Sequence, residues 1–214
     1  MTFRIIEDFE DEALLLTGFA GTGFMTAPDD GMTFLAVAHG HAMIDEHWTV
    51  HAGMYACIPP GDLISGYSAR IMLVTAKGYS GIFCIGGPVE RTGRLRYIDG
   101  CSDTSLIAPL RQGDPCLNFL HFPDGIHQTP HTHPSHRVGM VMRGRGACAY
   151  PGGSESMGLG NIFLIPAGSV HSFHTGPDIM DIVAFHPDSV FGPTDERHQM
   201  LEATIIESQR HVHV

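Results

Sequence analysis

The sequence is poor in basic residues. Twelve Lys and Arg stand against 23 Asp and Glu in 214 residues, a formal net charge of −11. That balance argues against a nucleic-acid partner and against an anionic membrane surface. Arg91, Arg94 and Arg96 form the one basic cluster, which reads as a solvated or ion-paired face. No Cys-x-x-Cys occurs, and the cysteine count, five, is odd: Cys57, Cys84, Cys101, Cys116 and Cys148. Buried reduced thiols are expected rather than a disulfide framework. No apolar run approaches the length that crosses a bilayer. The acidic start of the chain lacks the apolar core of a signal peptide, so the expected location is cytoplasmic. No helix-turn-helix segment is visible.

What is present suits strands. Glycine (26) and proline (14) are frequent, and 43% of residues are apolar, which fits many short strands joined by turns around a packed core. Two segments carry the chemistry. The first is Gly125-Ile-His-Gln-Thr-Pro-His131-Thr-His133; the second is Gly160-Asn-Ile-Phe-Leu-Ile-Pro166-Ala-Gly168-Ser-Val-His171. Residues two apart on a strand point to one face, so His131 and His133 aim their nitrogens at one place. His171 comes from another strand after a Pro-Ala-Gly turn. Three imidazoles meeting in this way make a site for a transition metal.

These spacings, Gly-x5-His-x-His and Gly-x5-Pro-x-Gly-x2-His, resemble the two-part signature of the cupin family. The likeness covers Gly125 to Gly144 and Gly160 to His171. It implies an all-β fold of small antiparallel barrels of the double-stranded β-helix or jelly-roll type, with a metal in the barrel mouth. One position departs from the pattern. Where cupins usually place Glu or Gln, about four residues after the second His, this sequence has Arg137, flanked by His136 and Val138.

The frame of the second segment occurs twice. Gly53-Met-Tyr-Ala-Cys-Ile-Pro59-Pro-Gly61 repeats it 107 residues upstream, as an internal duplication would. Ile64 stands in the place of His171. With Val37 to Gly40 set against Val141 to Gly144, Ala27 and Asp29 replace His131 and His133. The expected organisation is an arm (1–22), a degenerate barrel without the metal site (23–88), a connector (89–115), a metal-binding barrel (116–186) and a tail packing on the barrels (187–214). His39-Gly-His41 with Asp45 offers a rival metal site in the first barrel, set against exposed hairpin histidines together with His47 and His51. In the tail, Thr194 reads as a helix N-cap, 201–206 as a strand, and His211 and His213 as a loose end.

The metal ligands expected are therefore His131, His133 and His171. Three neutral imidazoles suit Fe, Ni, Cu or Zn and leave positions open. Fe(II) is the expected ion, with Ni, Zn or Mn as alternatives. If the strand runs regularly from 131 to 137, Arg137 shares the metal-facing side. It cannot ligate a cation, but it can grip a carboxylate or enolate beside one. His136 is a competing fourth ligand if the strand bulges. His121, His127 and His136 are candidate bases, and His186 reads as a satisfied core histidine. Met140 and Met142 read as core. The expected function is a non-haem Fe(II) dioxygenase acting on a small anionic or aromatic substrate. A redox-neutral isomerase, decarboxylase or lyase stays open, as does a non-enzymatic ligand-binding module. The partner expected is a small molecule, and a homodimer is compatible with the sequence.

Overall fold

The structure is a computed structural model and describes residues 2–196. The helical turn expected from Thr194, the strand at 201–206 and the His211–His213 pair lie at or beyond the end of the described residues.

Sixteen strands form among the described residues. The N-terminal half gives β1 (Arg4–Ile5), β2 (Asp8–Glu10), β3 (Leu14–Thr26), β4 (Gly31–Ile44), β5 (Trp48–His51), β6 (Tyr55–Ile58), β7 (Leu63–Lys77) and β8 (Cys84–Gly86). The C-terminal half gives β9 (Leu95–Arg96), β10 (Ser102–Ile107), β11 (Cys116–Phe122), β12 (Arg137–Tyr150), β13 (Gly153–Gly158), β14 (Ile162–Ile165), β15 (Ser172–His174) and β16 (Met180–His186). Strands β2 to β8 form one antiparallel sheet in the order β2-β3-β7-β4-β6-β8, with β5 on β4. The other runs β1-β14-β12-β16-β11-β10-β9, with β13 and β15 on β12. The fold is all-β, as two small antiparallel barrels of jelly-roll type.

Side-chain alternation explains how the barrels meet. On β4, Leu35 and Val37 enter the interior of the N-terminal barrel, while Phe34 and Ala36 enter a second core. On β12, Val141 enters the interior of the C-terminal barrel, while Val138, Met140 and Met142 join that same second core. This shared core lies between the barrels, so both strands are buried on both faces and read as nearly continuous apolar runs. Phe34 and Phe185 meet there with ring centroids 5.1 Å apart. Burial of each such side chain contributes about 1.5–3 kcal/mol.

The N-terminal segment ties the halves together. β1 pairs with Phe163 and Leu164 of β14, whereas β2 pairs with β3. Arg70 makes two bonds to Glu7, at 2.6 and 2.7 Å, and donates Nε–H to the Gly160 carbonyl at 2.7 Å.

The barrels share local geometry. Val37 N–H donates to Met54 O at 3.0 Å, and Val37 O accepts Gly53 N–H at 2.8 Å; Val141 repeats this with Asn161 and Gly160 at 3.0 and 2.8 Å. Gly40 and Gly144 both have positive φ, +68° and +72°, and a Cβ at either would fall 2.3 Å from Ser68 O or 1.9 Å from Ile179 O. No larger residue fits there.

Two stretches differ from expectation. Residues 89–115 do more than connect: β9 and β10 belong to the C-terminal sheet, with β10 pairing along β11. Residues 132–136 are not strand, and β12 begins only at Arg137. Pro130 and Pro134 flank this stretch, and proline has no N–H to give a ladder. Among the described residues no helix is long and apolar enough to cross a membrane. All five cysteines are free thiols, and four of them are buried.

Candidate metal centre

The backbone brings the imidazoles together before any side chain acts. His131 and His171 form an isolated bridge, each N–H donating to the other's carbonyl at 3.0 Å. Gly168, held at φ +71° by the turn, donates its N–H to His133 O at 2.8 Å. The three rings therefore face one another, with centroids 4.5, 5.0 and 5.1 Å apart. One ligand nitrogen from each lies within 4.8 Å of the others.

The tautomers follow from the partners. His131 Nδ1 lies 2.9 Å from Thr129 O, and His171 Nδ1 lies 3.1 Å from Ser169 O. A carbonyl only accepts, so each Nδ1 carries the proton and each Nε2 keeps its lone pair. His171 Nε2 is buried without a hydrogen-bond partner. Burial, then Arg137 and the neighbouring imidazoles, lowers the pKa of His133 to about 3. Burial lowers that of His171 to about 4, against the favourable contact with Ser169. These are neutral lone-pair donors across the physiological range. An orphaned buried acceptor and a three-imidazole donor set fit a divalent transition ion.

Arg137 opens β12 and lines the same cavity. Its Nη1 donates to the Ser135 hydroxyl and to His136 O at 2.9 Å, with Asp188 at 3.6 Å. Its Nε is buried with no partner. Burial lowers the guanidinium pKa, and Asp188 opposes this.

His136 is not brought to the cluster. Its Nδ1 accepts from Ala167 N–H at 3.0 Å, its Nε2 lies 3.2 Å from Asp11, and its ring meets Phe9 edge-on. It sits one residue before Arg137 and turns to the opposite side, toward the N-terminal segment. His127 and His174 pair with each other, Nδ1 to Nδ1, at 3.2 Å. His121 contacts Asp181 at 2.6 Å; its neighbours Leu120 and Phe122 line the cavity and it does not. His41 stacks on Tyr67.

Three polar residues at the cavity went unread in the sequence, Tyr97, Asp103 and Gln128; a fourth, His186, was read as a core histidine. His186 was legible, because Ile182 and Ala184 point into the barrel and parity carries His186 with them. Burial, then Arg137 and His133, holds its pKa well below the usual value. Tyr97 and Asp103 lie in the span read as connector. Gln128 left no signal. The cavity has a volume of about 60 Å³ and an apolar wall that includes Phe122, Phe163 and Phe173. A wider groove of about 750 Å³, bounded by Arg145, His174 and Asp178, lies apart from the imidazoles. Among the described residues it holds none of the buried unpartnered polar groups.

The structure resembles the cupin 2 conserved barrel domain protein of Leptotrichia buccalis, with a TM-score of 0.60 at 15% identity, over 86% of this chain and 88% of that one. The fold is that of the cupins. Other structures align at lower identity. Salicylate 1,2-dioxygenase of Pseudoaminobacter salicylatoxidans, with gentisate adducts, gives a TM-score of 0.57 at 12% identity over 81% and 68% of the two chains. Oxalate decarboxylase of Bacillus subtilis, with Mn(II) centres, gives 0.51 at 11% over 85% and 70%. A family model described as the AraC-like ligand binding domain matches residues 112–211 of this chain. A search of the curated proteins found no match.

Proposed function

We propose that His131, His133 and His171 hold a divalent transition ion, Fe(II), and that this cupin is a metal-dependent dioxygenase acting on a small anionic substrate. The observation that carries the reading is the buried, unpartnered Nε2 of His171, which faces two further imidazoles beside Arg137. When bound, the ion supplies Lewis acidity and, as Fe(II), dioxygen chemistry. The chain's own residues do the remaining work. Arg137 anchors the substrate anion, and Ser135, Asp188 and the His136 carbonyl fix its guanidinium. The phenylalanine wall excludes water. Asp103, its pKa raised by burial against the Asn118 amide, can hold a proton at the cavity edge. The neighbouring salicylate dioxygenase structure supports an oxidative reading.

A redox-neutral reading, with Mn, Ni or Zn serving an isomerase, decarboxylase or lyase, is favoured by the likeness to the Mn(II) oxalate decarboxylase. The family-model match favours a module that binds a ligand without turning it over. In all three the partner is a small molecule and the setting cytoplasmic. We read the halves (23–88 and 116–186) as duplicated cupin barrels, on the matched bonding of Val37 and Val141. Ile64, buried where the second barrel places His171, leaves the first barrel structural. The test is anaerobic purification, metal analysis and oxygen uptake over a panel of small acids. Substrate-dependent uptake with stoichiometric iron is expected. Stoichiometric zinc without uptake on any acid would overturn the dioxygenase.

A further inference from the structure

Among the described residues, five buried side-chain polar atoms have neither a hydrogen-bond nor an ion-pair partner. Three of them, His171 Nε2, Arg137 Nε and Gln128 Nε2, belong to residues lining the one small cavity. Leaving such groups unsatisfied costs about 1–3 kcal/mol each, so their gathering at one cavity points to an absent ligand.

The amide of Gln128 is oriented by its surroundings. Its Oε1 accepts Phe173 N–H at 3.2 Å. The Nε2 end is therefore a donor with nothing to meet, on a side chain only 2% exposed. Gln128 also lies on the backbone bridge to Phe173 O at 3.1 Å, which fixes its position beside His131. Arg137, 9% exposed, has Nη1 occupied and Nε–H unmet. Nε belongs to the edge of a guanidinium that grips a carboxylate side-on. Two fixed donors and a cation site around a small cavity describe an anion with at least two oxygens.

Size narrows the class. The cavity is about 60 Å³, whereas a dry cavity that takes up benzene is about 150 Å³. A volume of this size falls short of what encloses an aromatic ring beside the imidazoles. An acid of about two to four carbons is of the right order.

We infer that Gln128 is a specificity-determining residue, donating with Arg137 to a short-chain aliphatic carboxylate and excluding aromatic acids. This rests on the metal reading above and goes beyond it in naming the substrate class. Asp103 and Tyr97 line the same cavity, where the Asn118 amide donates to one oxygen of the Asp103 carboxylate.

The test uses the full chain loaded with one equivalent of metal and isothermal titration with pyruvate, oxalate and benzoate. Pyruvate or oxalate should bind and benzoate should not. Gln128→Glu keeps an acceptor for Phe173 N–H but removes the donor and adds repulsion. It should weaken binding of the small acid by at least about tenfold with metal content unchanged. Gln128→Met is the neutral second variant and should weaken it in the same direction. Benzoate binding as tightly as pyruvate, no binding by either small acid, or unaltered binding in the variants would overturn the inference while leaving a loaded metal centre intact. Failure of the wild-type chain to take up metal is a separate result: it overturns the metal reading and the inference with it.

Discussion

His131 and His171 are held face to face by a reciprocal pair of backbone hydrogen bonds, both 3.0 Å, and each gives its Nδ1–H to a carbonyl two residues upstream. The chain thus fixes ring position and tautomer without relying on an ion. Removing one imidazole should remove a ligand and little of the fold. His131→Ala and His171→Ala should each weaken metal binding by more than about a hundredfold, read as metal content after dialysis against a mild chelator. Full metal content in both variants would show that the ion sits elsewhere.

The same imidazoles set an acid limit for the metal-free protein. The folded-state pKa of His133 is about 3 and that of His171 about 4, against 6.5 ordinarily. Both are depressed, so below about 6.5 the unfolded chain takes up protons that the folded chain refuses. Stability present at neutral pH should fall as pH drops toward 4 and then 3. Urea midpoints of metal-free protein should fall over this window. A His133→Asn, His171→Asn double variant should show a shallower fall. Identical slopes in the two proteins would contradict the assignment.

The core between the barrels carries stability independently of the site. Phe185 is fully buried against Phe34. Phe185→Ala should cost about 3–5 kcal/mol, whereas His47→Ala, on an exposed turn, should change stability by less than about 0.5 kcal/mol. Chemical denaturation of both variants checks this, and similar midpoints would refute a shared core.

Arg137 should separate metal binding from anion binding. Arg137→Met keeps the side chain's bulk, and metal content should be unchanged while affinity for pyruvate falls by at least about tenfold. Loss of the metal in this variant would mean that the guanidinium supports the cluster itself.

The strands were legible where turn residues bound an apolar run. β11 spans Cys116–Phe122 and β14 spans Ile162–Ile165, between the marks left by Pro123-Asp-Gly125, Gly160 and Pro166. The meeting of the three rings follows from two spacings, because a strand pair and a Pro-Ala-Gly turn leave little freedom. Less legible was anything that depends on irregular backbone. Extending the strand from 131 to 137 ignored Pro134, yet Arg137 reaches the cavity from its own strand. β10 carries polar residues along Ser102–Ser105 and showed no alternation, so Tyr97 and Asp103 were unread. Gln128 lies outside any named strand, and its role depends on which end of its amide Phe173 holds, which no sequence pattern records.

The most direct measurement is X-ray absorption at the metal edge of freshly prepared, metal-loaded protein. The account predicts one ion per chain with three imidazoles in its first shell, at about 2.0–2.2 Å. It also predicts that one imidazole is lost in His171→Ala. A first shell without imidazole scattering, or one unchanged in that variant, would contradict it.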